Sequence, residues 1–499
     1  MTAAESLARS AGRSTRWSAV AQIVRNFSQI GFQLLLVFFM VPEQYGAVAL
    51  LSAFTMFMAV FRGLGFNTLV IIHNEVAVDA DPAEENARWS ALFWVNLTAC
   101  GLVGLAVAGA SDWIAGFFAL PDLRWAAIVL GGVFWVQCSG LVHMAILERR
   151  FQFRTIAILE TGACLVAGLV GVGLLFHVDG LTAFLAFQAV LGGGSSLAGI
   201  LAARWWPAAP DIGSIKRIDR GFSGDLLVFN FFSFLSRNVD KLMIGRLQGA
   251  ADLGIYGLAY RLMTLPSQLI STAIDRVALP MYARQIGRPA DLARSVLLAH
   301  QNVTFLSIPV MGLAFVGIGD GLLVLGLDAW GELAPLVRIF APIGVLQAIG
   351  TLTGSVLMVT RRTRLMRGLG FYNTAIYVGS ILAGLPWGLT GVTISYSVGF
   401  TVLILAPTLW LCLRPMGVST LRYLRALAPL WSAGLLAVAV AEVVVSAIGV
   451  EAGWTRLAVS GAAFLIGYLI VGWIVAGPVV RRIVALDFFD ANQTSGDRP

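Results

Sequence analysis

Residues 232–249, FSFLSRNVDKLMIGRLQG, set Arg237, Asp240, Lys241 and Arg246 into an otherwise apolar stretch. Asn230, Ser233, Arg237 and Lys241 recur at intervals of three, four and four, which puts them on one face of a helix. Moved back by 208 residues, the same positions read Gln22, Arg25, Gln29 and Gln33, a second polar stripe. Arg62 and Arg261 add a cation to the segment that follows each stripe. An ion placed in lipid costs on the order of 3 kcal/mol or more, so the two stripes are expected to line a shared aqueous cavity. The excess is cationic. Against Arg25, Arg62, Arg237, Lys241 and Arg261 stands Asp240 at mid-depth, with Glu160 and Asp225 nearer the inner ends of their segments. Such a cavity suits an anion, and the planar fork of arginine fits phosphate oxygens. The structural alternative is local pairing: Arg237 with Asp240, Asp275 with Arg276, and Arg246 snorkelling to the surface. For Arg246, Arg276, Arg338 and Arg456, near segment ends, the structural alternative is preferred; for Arg25, Arg62, Arg237 and Lys241 the functional one is.

Other chemistry is sparse. His73, His143, His177 and His300 have no carboxylate or second histidine at ligand spacing, so no metal site and no cofactor are expected. Cys100, Cys138, Cys164 and Cys412 follow no disulfide or metal spacing and read as small core residues. The glycine-rich pieces at 63–65 and 192–194 lack the strand-to-helix context of a phosphate loop. No outer loop is long enough to house catalytic groups, so the chain is not read as an enzyme.

These residues need elements to hold them, and composition says which. Of 499 residues 58% are hydrophobic and 12% charged, against roughly 25% charged in a soluble domain. That marks an all-α integral membrane protein, and the pI of 9.5 is not a nucleic-acid footprint. No signal peptide is read after the arginine-bearing N-terminus. Apolar runs between charges, Gly and Pro predict fourteen transmembrane helices: 17–40, 45–70, 89–110, 124–147, 155–176, 181–203, 222–248, 253–281, 296–319, 333–359, 368–386, 389–412, 426–449 and 455–477. With both termini cytoplasmic, arginines crowd the inner connections while the outer ones hold Arg124 alone, as charge asymmetry requires. The acidic inner loop HNEVAVDADPAEENAR fits less well. Pro266, Pro309 and Pro342 fall inside expected helices and predict kinks, as bending points or simple packing.

The 208-residue shift also matches Leu34 with Leu242, Gly46 with Gly254 and Leu50 with Leu258. With a slightly larger offset Arg149-Arg150 falls on Arg361-Arg362, and Gly180-x-Thr182 on Gly391-x-Thr393. The expected organisation is an N-lobe at 17–203 (helices 1–6) and a C-lobe at 222–412 (helices 7–12), related by a pseudo-twofold along the membrane normal. A cytoplasmic tail at 1–16, a cytoplasmic linker at 204–221, two further helices within 426–477 and a cytoplasmic tail at 478–499 complete it. Two such lobes imply a cleft, which is where the buried cations are expected.

RNVDKLMIGRLQGAADLGIYGLAYRLMTLP (237–266) and STAIDRVALPMYAR (271–284) resemble the signature region of the polysaccharide transporter family. These are the Wzx-type oligosaccharide flippases, of the superfamily that also holds MATE drug exporters and the lipid II flippase. VPEQYGAVALL and ILERRFQFRTIAILE are similar to the family's other recurring stretches, and the resemblance runs from Trp17 to Leu413. It implies a MATE-like fold and a flippase that moves an undecaprenyl-diphosphate-linked oligosaccharide across the bacterial inner membrane for exopolysaccharide or lipopolysaccharide O-antigen, with polysaccharide polymerase and export machinery as partners. On that reading Arg25, Arg62, Arg237, Lys241 and Arg261 meet the diphosphate or acidic sugars. Gln29, Gln33 and Asn230 meet sugar hydroxyls, and Asp240 and Glu160 are the ion-coupling carboxylates. The alternative is a MATE-like multidrug antiporter, against which the cationic interior argues.

Overall fold

Pro42 opens a long helix because its fixed φ suits the first turn, where its missing N–H costs nothing. It is one of ten helices long and apolar enough to cross a membrane among the described residues. The computed structural model describes residues 24–25, 27–62, 82–150, 152–209, 231, 234–235, 238–360, 363–475 and 477–484; among these no strand occurs. The chain divides into two compact units, Met1–Gly254 and Ile255–Pro499.

In the first unit a short apolar helix α1 (Phe27–Phe38) precedes α2 (Pro42–Phe61). Then follow α3 (Pro82–Gly109), the short α4 (Ser111–Phe118), α5 (Leu123–Ser139) and α6 (Leu141–Arg149), α7 (Phe153–Leu174), α8 (Gly180–Ala203) and a helix α9 at 238–247. Gly140 separates α5 from α6, and the two act as one span, Leu123–Arg149. α3 lies along α5, α7 along α8, and α5 also packs on α8. α1 docks on α7: Ser28 faces Gly168, and Phe32 lies against Gly171 and stacks on Phe187 of α8 at 4.3 Å. Asp179 caps α8, accepting from the Thr182 amide at 2.9 Å and its hydroxyl at 2.7 Å.

α10 (Ala250–Pro266) begins in this unit, and its first turns carry a trace of the internal repeat. A Cβ on Gly46 would collide with the carbonyl of Ala250, and one on Gly254 with the carbonyl of Pro42. The 208-residue shift carries Pro42 to Ala250 and Gly46 to Gly254, so it exchanges the two contacts. A reciprocal pair of this kind is what a local twofold axis produces. Glycine at both places is what lets the two backbones meet.

The second unit takes the rest of α10, then α11 (Thr272–Arg284), α12 (Pro289–Val324), α13 (Leu333–Val359), α14 (Thr363–Gly384), α15 (Gly388–Val398), α16 (Ala406–Leu413), α17 (Thr420–Ile448), α18 (Trp454–Val475) and α19 (Gly477–Val484). A π-helical turn, Ser267–Ser271, joins α10 to α11 directly after Pro266. A second, Gly399–Leu405, joins α15 to α16 just before Pro407. Proline removes a ladder bond, and these irregular turns absorb the loss. Pro309 and Pro342 instead sit inside helices that run unbroken. The 49-residue apolar stretch Gly368–Met416 folds back at the 3₁₀ turn Leu385–Trp387, so that α15 returns along α14 with Gly399 against Ser380. α12 is the hub: α13, α17 and α18 all pack on it. Polar bonds fix the last two. His300 Nδ1 and the Tyr423 hydroxyl share a bond of 2.8 Å, Gln301 donates to the Ala426 carbonyl at 3.0 Å, and the Tyr468 hydroxyl donates to the Phe305 carbonyl at 3.0 Å. In an apolar surround each such bond is retained because losing a partner leaves a buried group unsatisfied.

Candidate functional site

Arg25 precedes α1 on the turn that lies against α7. Its Nη1 donates to Glu160 Oε2 at 2.7 Å, with the two side chains 28% and 31% exposed. The Cys164 thiol, one turn on in α7, approaches the Arg25 carbonyl at 3.9 Å. This corrects the expectation that Arg25 lacks a carboxylate: Glu160 serves it, and the pair bridges 135 residues of chain. The pair is still partly open to solvent, and one carboxylate oxygen meets one guanidinium nitrogen, a position a phosphate oxygen could take. Gln29 and Gln33 follow on the same helix, both half-buried.

On α9 the Lys241 ammonium donates to the Asn238 side-chain carbonyl at 3.2 Å, and the Asn238 amide donates to the Phe234 carbonyl at 3.1 Å. Lys241 is half-buried, whereas Asn238 and Asp240 are buried. Arg237 and Asn230 lie outside the described residues, as do Gln22, Ser233 and Asp225. Arg62 is exposed, at the C-cap of α2 rather than inside a helix running to residue 70; residues 63–81 lie outside the described ones. Its backbone leaves the helical region at ψ 113, so the helix ends there. Arg261 is half-buried in α10, in the second unit.

Two of the cations assigned to structural roles, Arg246 and Arg456, behave accordingly. Arg246 covers the Phe117 ring at 5.1 Å, and Arg456 meets Asp320 at 3.5 Å. Arg124, in the first turn of α5, pairs with Asp112 of α4 at 2.7 Å. Asp275 and Arg276 form no pair; Asp275 accepts from the Ser355 hydroxyl at 2.7 Å instead, and Arg276 is exposed. The absence of that ion pair escapes a sequence reading, because adjacency to an arginine looks like neutralisation. Among the described residues no group of three His, Cys, Asp or Glu comes together to hold a metal ion, and the four cysteines are all buried.

Residues 35–333 match a protein family described as "Polysaccharide biosynthesis protein". The chain belongs to this family. Among curated relatives, the teichuronic acid biosynthesis protein TuaB of Bacillus subtilis is 24% identical over 390 residues, covering 74% of this chain and 77% of TuaB. The lipopolysaccharide biosynthesis protein WzxC of Escherichia coli is 23% identical over 387 residues, covering 76% of each chain. Among solved structures, the lipid II flippase MurJ in an inward closed conformation superposes with a TM-score of 0.69 at 13% identity, over 92% of this chain and 100% of that one. At that identity the match is one of fold: this member of the polysaccharide biosynthesis family shares the helical architecture of MurJ.

Proposed function

We propose that the chain is a flippase. It carries an undecaprenyl-diphosphate-linked oligosaccharide from the cytoplasmic to the periplasmic leaflet of the bacterial inner membrane, by alternating access, for exopolysaccharide or O-antigen assembly. The observation that carries this is the family match over residues 35–333, joined to a fold shared with MurJ along nearly the whole chain. The reading includes fourteen spans in two six-helix lobes, at 17–203 and 222–412, with two added helices and both termini cytoplasmic. Polymerase and export machinery take the product. It involves no bond-making, so the chain acts as a transporter and not an enzyme.

In this mechanism Arg25, Arg62, Arg237 and Lys241 contact the diphosphate or acidic sugars, with Arg261 as a further anion contact. Gln29, Gln33 and Asn230 meet sugar hydroxyls. Desolvating a diphosphate is costly, and fixed cations offset that cost where water is excluded. Arg25 supports the assignment in a specific way: one of its guanidinium nitrogens meets a carboxylate oxygen that an incoming phosphate oxygen can replace. A multidrug antiporter for cationic compounds would need carboxylates where these cations stand.

The test is genetic and direct. Arg237→Ala or Lys241→Ala is expected to abolish surface polysaccharide while the lipid-linked precursor accumulates on the cytoplasmic face. Normal export in both variants overturns the assignment. Loss of the chain that sensitises cells to cationic dyes with polysaccharide intact instead selects the antiporter.

A further inference from the structure

Asp275 stands on the face of α11 that carries Ser271, Asp275, Ala278 and Tyr282, at intervals of four, three and four. That face turns into the core of the second unit, where Ser271, Ala278 and Tyr282 are fully buried. Two bonds join it to α13: the Ser271 hydroxyl donates to the Ala348 carbonyl at 3.0 Å, and Ser355, two turns further along, donates to Asp275 Oδ2 at 2.7 Å. The other carboxyl oxygen, Oδ1, is buried and has no hydrogen-bond partner among the described residues. The Tyr282 hydroxyl, two turns on along the same face, is buried and equally unpartnered.

Among the described residues no cation pairs with this group. Arg276 points roughly 100° away around the helix and is exposed. The titratable side chains nearby are Tyr282 on α11, His300 on α12, Cys412 on α16 and Tyr423 on α17; α13 offers Ser355. Arg284, Asp291 and Arg294 lie beyond Tyr282, at the far end of α11 and the start of α12. A carboxylate ion with one hydroxyl donor and a buried bare oxygen is a poor occupant of such a place, whereas the neutral acid is tolerated. One carboxyl and two hydroxyls are too few oxygens to dehydrate an alkali cation, so the ligand that fits is a proton. The position is also mechanically placed. Ser271 closes the π turn that follows Pro266, and turns of this kind recur where helices bend at functional sites.

We propose that Asp275 is the proton-coupling carboxyl of the transport cycle, neutral in the arrangement seen here and exposed for release when the α10–α11 bend changes. The proton comes from solvent on one side and leaves to solvent on the other, with no redox step. This rests on the flippase reading and replaces Asp240 and Glu160 as the coupling group.

The experiment uses the full chain in proteoliposomes, with a fluorescent polyprenyl-diphosphate-linked oligosaccharide as probe, flipped under no gradient, a pH gradient or a sodium gradient. The wild type is expected to respond to the pH gradient and not to sodium, and Asp275→Asn to bring the ratio of rates with and without that gradient to one. Ser355→Ala, which removes the donor to the ionised form, is expected to keep the response and move its pH midpoint upward. Infrared difference spectra add a readout independent of flipping: a protonated carboxyl band at neutral pH in the wild type, missing in Asp275→Asn. An undiminished ratio in Asp275→Asn, a response to sodium alone, or an unchanged infrared spectrum overturns the proposal. A wild type that flips no probe under any condition sinks the flippase reading instead, while the infrared band still decides whether Asp275 holds a proton.

Discussion

Glu160→Gln is the sharpest single perturbation of the site, because it keeps the shape of the side chain and removes the charge that Arg25 meets at 2.7 Å. Exposed ion pairs contribute about 0.2–1 kcal/mol, and leaving one partner of a fully buried pair uncompensated costs about 3–5 kcal/mol. With side chains 28% and 31% exposed, the pair falls between these limits, and Glu160→Gln is expected to cost about 2 kcal/mol, roughly thirtyfold in the unfolding constant. Arg25→Gln alone is expected to cost about as much, and to add only about 1 kcal/mol in the Glu160→Gln background, a coupling near 1 kcal/mol. Tryptophan fluorescence during unfolding in detergent, run on the wild type, both single variants and the double, reads the cycle. A second measurement separates structure from function. If the carboxylate holds the fork in place of a phosphate, Glu160→Gln frees it, and inorganic pyrophosphate is expected to bind about tenfold tighter, equal to about 1.4 kcal/mol. Additive single variants refute the pairing energy; pyrophosphate affinity unchanged in Glu160→Gln refutes Arg25 as an anion contact.

Two further outcomes test the frame around that site. Gly46→Val forces a side chain into the Ala250 carbonyl and is expected to destabilise the protein by about 1–3 kcal/mol. Gly116→Ala, whose Cβ meets nothing within 4 Å, serves as the silent control, and equal melting curves for the two would remove the backbone contact as a constraint. At Asp179, the N-cap of α8 on the connection from α7, burial alone would raise the carboxyl, but the Thr182 hydroxyl and amide and further backbone donors outweigh it and hold it below the usual range. Its contribution to stability is therefore present above the unfolded-state value and lost as pH falls through the lower, folded one. Asp179→Ala is expected to cost about 1 kcal/mol at neutral pH and nothing once the wild-type carboxyl is protonated, so a difference in melting temperature that stays constant down to acid pH argues against the cap.

Much of the frame is legible without coordinates, because it depends on periods and punctuation. Apolar runs give most of the spans, Pro42 marks the start of α2, and PWG between two runs marks the turn into α15. The repeat is legible in part: pairing Gly46 with Gly254 identifies two equivalent positions, and only the fold adds that each lies against the partner segment's first turn. The ends of helices are less legible, as Arg62 shows. Apolar character continues past it, so composition extends α2 while the backbone turns out of the helix.

Charge partners are where a linear reading fails, and it fails in two opposite ways. Arg25 looks unpaired because its carboxylate is 135 residues away, across a helix contact made by Ser28 and Phe32 that carries no charge signal of its own. Asp275 looks paired because an arginine is next to it, yet neighbours on a helix diverge by about 100° and only residues three or four apart meet. The first error removes a cation from the uncompensated set, and the second adds a carboxylate to it. Uncompensated charge is what marks a membrane interior as functional. Asp275, whose second oxygen has no partner among the described residues, is accordingly proposed as the coupling group in place of Glu160, which has one. Arg25 remains the proposed anion contact, and its partner in this structure is a carboxylate.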